Sequence, residues 1–143
     1  MSRDDNFIKL QSPQVLVVEA SAGSGKTYTL AKRYLQLIFS PEHMPDKMPL
    51  RSILAITFTN KAMIEMKERI ITYLKKMALG LCVPGSEDDF ISLLDLDGQK
   101  AAKTAELVMD NIIKHYSFFQ IQTIDSFINT LLLGCSLNID RSA

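Results

Sequence analysis

Apolar positions along the chain switch between two periods. Val15-Leu16-Val17-Val18 and Ile53-Leu54-Ala55-Ile56-Thr57-Phe58 are short apolar runs rich in β-branched residues, the pattern of strands buried on both faces. Phe118-Phe119-Gln120-Ile121-Gln122-Thr123 is a third candidate strand. Between these runs the period lengthens. Leu30, Tyr34, Leu37 and Ile38 share one helical face from Lys26 until Ser40-Pro41 stops the helix. Met63, Met66, Ile70, Tyr73, Leu74 and Met77 form the stripe of a helix from about Lys61 to Met77. Helices are also expected from about Gln99 to His115 and from Ile124 to about Leu133. Residues 41 to 51 carry Pro41, Pro45 and Pro49 and read as a loop, and Gly80, Pro84 and Gly85 break the chain again.

Strand, helix, strand, helix, strand, helix predicts an α/β fold, a parallel sheet flanked by crossover helices. Three strands make a narrow sheet for that architecture, a first sign of a part of something larger.

Composition narrows the function. The 143 residues are 47% hydrophobic and 22% charged, enough apolar residues for a core. Sixteen Lys and Arg balance sixteen Asp and Glu, which argues against a polybasic nucleic-acid binder but leaves room for a local basic face. Two cysteines, Cys82 and Cys135, are too few for a disulfide scaffold or a structural zinc site. No apolar run approaches the roughly 20 residues of a membrane span. The polar, acidic start Met1-Ser2-Arg3-Asp4-Asp5-Asn6 does not read as a signal peptide. A cytoplasmic protein is expected, with no membrane partner.

Ala20-Ser21-Ala22-Gly23-Ser24-Gly25-Lys26-Thr27 lies between a predicted strand and a predicted helix start, the context a phosphate-binding loop requires. Glycines let successive N–H groups turn toward phosphate oxygens, and the helix N-terminus adds its positive end. Lys26 would reach the β- and γ-phosphates, and the Thr27 hydroxyl would ligate Mg²⁺. Ala20 stands where the general pattern has Gly.

Thr57-Phe58-Thr59-Asn60-Lys61-Ala62 ends the second strand and opens the next helix. Ligands of open α/β sheets gather at that edge. Two hydroxyls, an amide, a ring and a cation within six residues can hold a single strand by phosphate contacts and base stacking. The following helix carries Lys61, Lys67, Arg69, Lys75 and Lys76 against Glu65 and Glu68. On the residues alone, a helix N-cap followed by a solvated face explains the segment equally well.

Three ordered motifs now make the chain resemble a family. The phosphate loop, then Ile56-Thr57-Phe58-Thr59-Asn60-Lys61-Ala62-Met63-Ile64-Glu65-Met66-Lys67-Glu68-Arg69, then Thr123-Ile124-Asp125-Ser126-Phe127 resemble the UvrD/RecB family of superfamily 1 DNA helicases. The form Ala-Ser-Ala-Gly-Ser-Gly-Lys-Thr is similar to the RecB and AddA branch, whose members often join a helicase to a nuclease for double-strand break repair.

The resemblance implies a RecA-like P-loop NTPase fold, here incomplete. Ala20, Ser21, Ala22, Gly23, Ser24, Gly25, Lys26 and Thr27 would bind ATP with Mg²⁺, Lys26 and Thr27 carrying the catalytic roles. Thr57, Phe58, Thr59, Asn60 and Lys61 would contact single-stranded DNA, and Thr123, Asp125, Ser126 and Phe127 would form the next DNA-contacting motif. Many family members have His where this chain has Asp125, and a carboxylate there is suited to accepting a hydrogen bond from a base or from the protein. The family's Walker B acids, later arginines and second RecA-like domain are not among these residues. The chain therefore reads, over residues 1–143, as the N-terminal part of a first RecA-like domain, with a helical connector at about 80–116 and the start of a helical insertion after about 128. Its expected partners are single-stranded DNA, the remainder of its own chain, and a nuclease domain or subunit.

Other classes stay open at this point. A compact P-loop phosphotransferase would make Asp125 the magnesium ligand, and a non-catalytic nucleotide- or DNA-binding module needs no turnover at all. Asp95 sits in an acidic run, Glu87 to Asp97, that suits an exposed connector better than a metal site. His43 and His115 have no partner at catalytic spacing, and the methionine stripe reads as core.

Overall fold

The computed structural model of the chain describes residues 25–40, 49–83, 91 and 97–139. The predicted strand Val15–Val18, the first five residues of the expected phosphate loop (Ala20 to Ser24) and most of the acidic run lie outside these residues.

Four α-helices and two strands are described. Helix α1 spans Lys26–Ile38, strand β1 Ala55–Thr57, helix α2 Asn60–Ala78, helix α3 Gly98–Lys114, strand β2 Ile121–Thr123 and helix α4 Ile124–Ile139. Short 3₁₀ turns, Pro49–Ser52 and Tyr116–Phe118, lead into the strands. β1 and β2 pair in parallel, with Ala55 opposite Ile121, Ile56 opposite Gln122 and Thr57 opposite Thr123. The result is an α/β arrangement, a small parallel sheet with helices packed around it.

α2 is the centre of the packing and touches α1, α3 and both strands. Its predicted stripe is the buried one: Met66, Ile70, Tyr73, Leu74 and Met77 are inside, and Met63 packs at the margin. α1 brings Ala31, Tyr34, Leu35 and Ile38 to this core, and α3 brings Ala105, Val108 and Ile112. The segment expected to be a connector thus carries a helix that closes one side of the core. Burying a side chain of Leu or Met size stabilises by roughly 1.5–3 kcal/mol, so these faces hold the layers together.

Local chemistry sets the ends of the helices. Thr59 accepts a hydrogen bond from the Ala62 N–H at 3.1 Å and caps α2, and Asp97 accepts from the Lys100 N–H at 3.3 Å and caps α3. α2 stops where Gly80 adopts φ +65°, which lets its N–H reach the Met77 carbonyl at 3.1 Å and the Leu81 N–H reach the Lys76 carbonyl at 2.8 Å.

Three expectations need correcting. The second strand is shorter than Ile53–Phe58 and is not buried on both faces: β1 spans Ala55–Thr57, and Leu54 and Ile56 are exposed. The third strand is shorter than Phe118–Thr123, because the N–H groups of Phe118, Phe119 and Gln120 bond to His115, Tyr116 and Phe118 carbonyls and wind that stretch into a turn. The last helix does not end near Leu133 but continues to Ile139, since no proline follows and Gly134 is tolerated within it. No described helix is long and apolar enough to cross a membrane.

Candidate nucleotide and nucleic-acid site

Gly25 precedes α1 with φ +83° and ψ 26°, a left-handed conformation that glycine adopts without strain. It bends the chain so that Lys26 and Thr27 open the helix, Lys26 exposed and Thr27 half-buried. Among the described residues no side chain caps α1. The other described α-helices each have a side-chain oxygen on a first-turn N–H: Thr59 on α2, Asp97 on α3, and Thr123, which accepts from the Ser126 N–H at 3.3 Å, on α4. With no cap among the described residues, the first-turn N–H donors and the positive helix end of α1 are a setting suited to an anion.

Behind this turn, Tyr28 meets Tyr73 of α2 edge-on with centroids 6.3 Å apart, and the Lys32 ammonium lies 4.6 Å from the Tyr28 ring. These contacts fix α1 against α2.

The second and third motifs come together at the carboxyl ends of the strands. Thr57 and Thr123 are register partners, and each strand runs into a helix, through Phe58 and Thr59 for β1 and directly for β2. Adjacent strands lie about 4.8 Å apart, so Phe58 to Lys61 and Asp125 to Phe127 share one edge. Phe58 is 85% exposed, with no ring or cation contact among the described residues. Asn60, Lys61, Asp125 and Ser126 are exposed as well, and Phe127 is half-buried.

The threonines play a different part. The Thr57 hydroxyl donates to the Thr59 carbonyl at 3.2 Å, Thr59 caps α2, and Thr123 is buried while capping α4. Their hydroxyls set the backbone from which the other side chains project. The N-cap reading of Thr59 and its reading as part of a binding edge are therefore compatible. Asp125 sits in the first turn of α4, where a negative charge is favoured by the helix end, and has no hydrogen-bond partner among the described residues.

On α2, Glu65 accepts two hydrogen bonds from Arg69, at 2.9 and 3.1 Å, and raises the guanidinium above its ordinary range. Lys61 and Lys75 stay exposed. Among the described residues no group of three His, Cys, Asp or Glu side chains could hold a metal ion.

The sequence pattern assigned no chemistry to one cluster. His115 stacks on Phe118 with centroids 5.6 Å apart, and Arg51 places its guanidinium 3.8 Å from the same ring. Arg51 is far in sequence from the other two, and only the pairing of β1 with β2 brings the turns that carry them together.

A family model for the UvrD/REP helicase N-terminal domain matches residues 4–140. The RecBCD enzyme subunit RecB of Buchnera aphidicola subsp. Schizaphis graminum is 34% identical over 144 residues, which cover 99% of this chain and 12% of that protein. An ATP-dependent helicase/nuclease subunit of Bacillus pumilus is 43% identical over 74 residues, 51% of this chain and 6% of that protein. The protein of the same name from Clostridioides difficile is 49% identical over 55 residues, 38% of this chain and 4% of that protein. The chain thus spans about a tenth or less of the length of these relatives. No solved structure matches.

Proposed function

Because the chain belongs to the UvrD/REP helicase N-terminal domain family, we propose that it supplies the phosphate-binding loop and part of the single-stranded-DNA track of an ATP-dependent DNA helicase, acting in recombination or double-strand break repair. One observation carries this reading. The register pair Thr57 and Thr123 draws two motifs that are distant in sequence onto the same sheet edge, with Phe58 exposed between them. An exposed ring beside an amide and a cation suits base stacking with phosphate contact and no base preference.

ATP fits the start of α1. Gly25 in a conformation that a Cβ would strain, a first turn with no side-chain cap among the described residues, and Lys26 with Thr27 at the helix start are parts that suit a triphosphate cradle. Lys26 would neutralise the β- and γ-phosphates, and Thr27 would contribute a hydroxyl to Mg²⁺, whose charge would offset that of the phosphate oxygens. The fold is a P-loop NTPase of the RecA-like type. In the whole protein ATP would lie between two such domains, and closure on ATP followed by opening would move the strand past alternating grips. Cytoplasmic location and partnership with a nuclease domain or subunit belong to the same proposal.

The test is binding of labelled oligo(dT)20 to the 143-residue chain by fluorescence anisotropy at low salt. Phe58→Ala with Asn60→Ala should weaken binding at least about fivefold, the loss expected for one stacked base, without altering the circular dichroism spectrum. Equal binding by the folded double variant would overturn the assignment of this edge.

A further inference from the structure

The amino ends of the strands, on the opposite edge of the sheet, carry a second cluster of rings and cations. Arg51, in the turn before β1, lies 3.8 Å over the Phe118 ring, and His115 stacks on that ring with planes 27° apart. Tyr116 is 56% exposed, with the Lys67 ammonium of α2 at 5.2 Å from its ring. Neither Arg51 nor Lys67 forms an ion pair among the described residues. The cluster is anchored from below: Tyr116 meets the buried Phe119 edge-on at 6.2 Å, and Phe119 meets Tyr34 in the core. The hydrogen bonds that wind residues 115 to 121 into successive turns hold the backbone of the whole platform.

We propose that this platform is a second contact for single-stranded nucleic acid, separate from the Phe58 edge. Exposed rings flanked by cations offer both elements that a strand needs: π-faces for bases, and charge for phosphates. An acidic protein surface would use the cations but would leave the exposed faces of Tyr116 and His115 idle. The two contacts are separated by the length of a strand and its flanking turns, on the order of 20 Å, so one oligonucleotide can reach both. The inference rests on the nucleic-acid reading of the chain but not on the residues of the first edge.

The experiment is anisotropy of oligo(dT)20 with the 143-residue chain across a salt series. Arg51→Gln with Lys67→Gln should weaken binding and lower the slope of log K against log salt by about 1.4, the value for two lost phosphate contacts on a single strand. Tyr116→Ser should weaken binding at least about fivefold with the slope unchanged, and Tyr116→Phe should restore it, which a solely structural role for the hydroxyl would not allow. Arg51→Lys keeps the charge, and therefore the slope, should Arg51→Gln prove unstable. Folded variants that bind like the parent would overturn the proposal. So would a poly-glutamate peptide that displaces oligo(dT)20 at lower concentration than unlabelled oligonucleotide does. Loss in the Phe58 and Asn60 double variant alone removes this platform and keeps the first edge. Loss in the platform variants alone does the reverse.

Discussion

Tyr34 and Phe119 meet edge to face in the core, with centroids 5.8 Å apart and ring planes at 74°. The pair joins α1 to the turn that precedes β2, and so ties the helix that Lys26 opens to the strand that ends at the proposed binding edge. The Tyr34 hydroxyl is buried and has no hydrogen-bond partner among the described residues.

A buried hydroxyl without a partner costs roughly 1–3 kcal/mol, so Tyr34→Phe should raise stability by about 1 kcal/mol in urea unfolding. Burial also pushes the hydroxyl's pKa well above its ordinary value. The unfolded chain ionises this group near pH 10, while the folded chain holds it neutral. Its contribution to stability is therefore complete below about pH 10 and is lost as the pH rises beyond that. Parent and Tyr34→Phe should show a constant stability difference from pH 7 to 9 and diverge further at pH 10.5.

The two threonine caps should each be measurable. Thr59→Ala and Thr123→Ala remove acceptors from first-turn N–H groups and should each cost about 1 kcal/mol. Thr59→Ser, which keeps the oxygen, should recover most of the loss in a thermal melt.

Nucleotide binding and turnover should separate. Lys26→Ala should abolish binding of a fluorescent ATP analogue, since the ammonium is the cation assigned to the phosphates. Steady hydrolysis is not expected from the 143 residues, because the family's Walker B acids and transition-state arginines are not among them. An arginine of that kind is worth roughly 10³ to 10⁵ in rate. Hydrolysis lost equally in Lys26→Ala and Asp125→Asn would instead make Asp125 the magnesium ligand of a compact enzyme.

α4 should be adhesive. Ile128, Leu131, Leu132 and Leu133 are all exposed on it. Thr130 and Ser136 bond back to the carbonyls of Ser126 and Leu132, which turns their polarity inward. Contiguous apolar surface of this kind rarely stays open. The chain should bind an apolar dye, and Leu131→Gln with Leu132→Gln should cut the dye signal while leaving the melting temperature nearly unchanged.

Helix α2 was readable because one helical period governs both its burial and its stripe, and its Thr59 cap is a local signal. The short β2 was not, because Phe118 and Phe119 have strand-like composition while the ring contacts with Arg51, His115 and Tyr34 favour a turn. Residue chemistry named Phe58 and the motif resemblance named Asp125 as candidates, but neither could say that they share an edge, which depends on the register of Thr57 with Thr123. The platform of Arg51, His115 and Tyr116 left no local signature, since its parts meet only through that same pairing.

That register has a kinetic side. Ala55 and Ile121 pair across more than sixty intervening residues, and a parallel pair cannot nucleate from a hairpin. Closing so long a loop has an entropic cost before any ladder bond compensates it. α2 and α3, closer in sequence and sharing a broad apolar contact, are the natural early partners, with the strands zipped last on their surface. Core substitutions on α2 such as Met66→Ala should then slow refolding, whereas Ile121→Val should chiefly speed unfolding. The edge that gathers Phe58, Asn60 and Asp125 would be the final part of the molecule to form and the first to open.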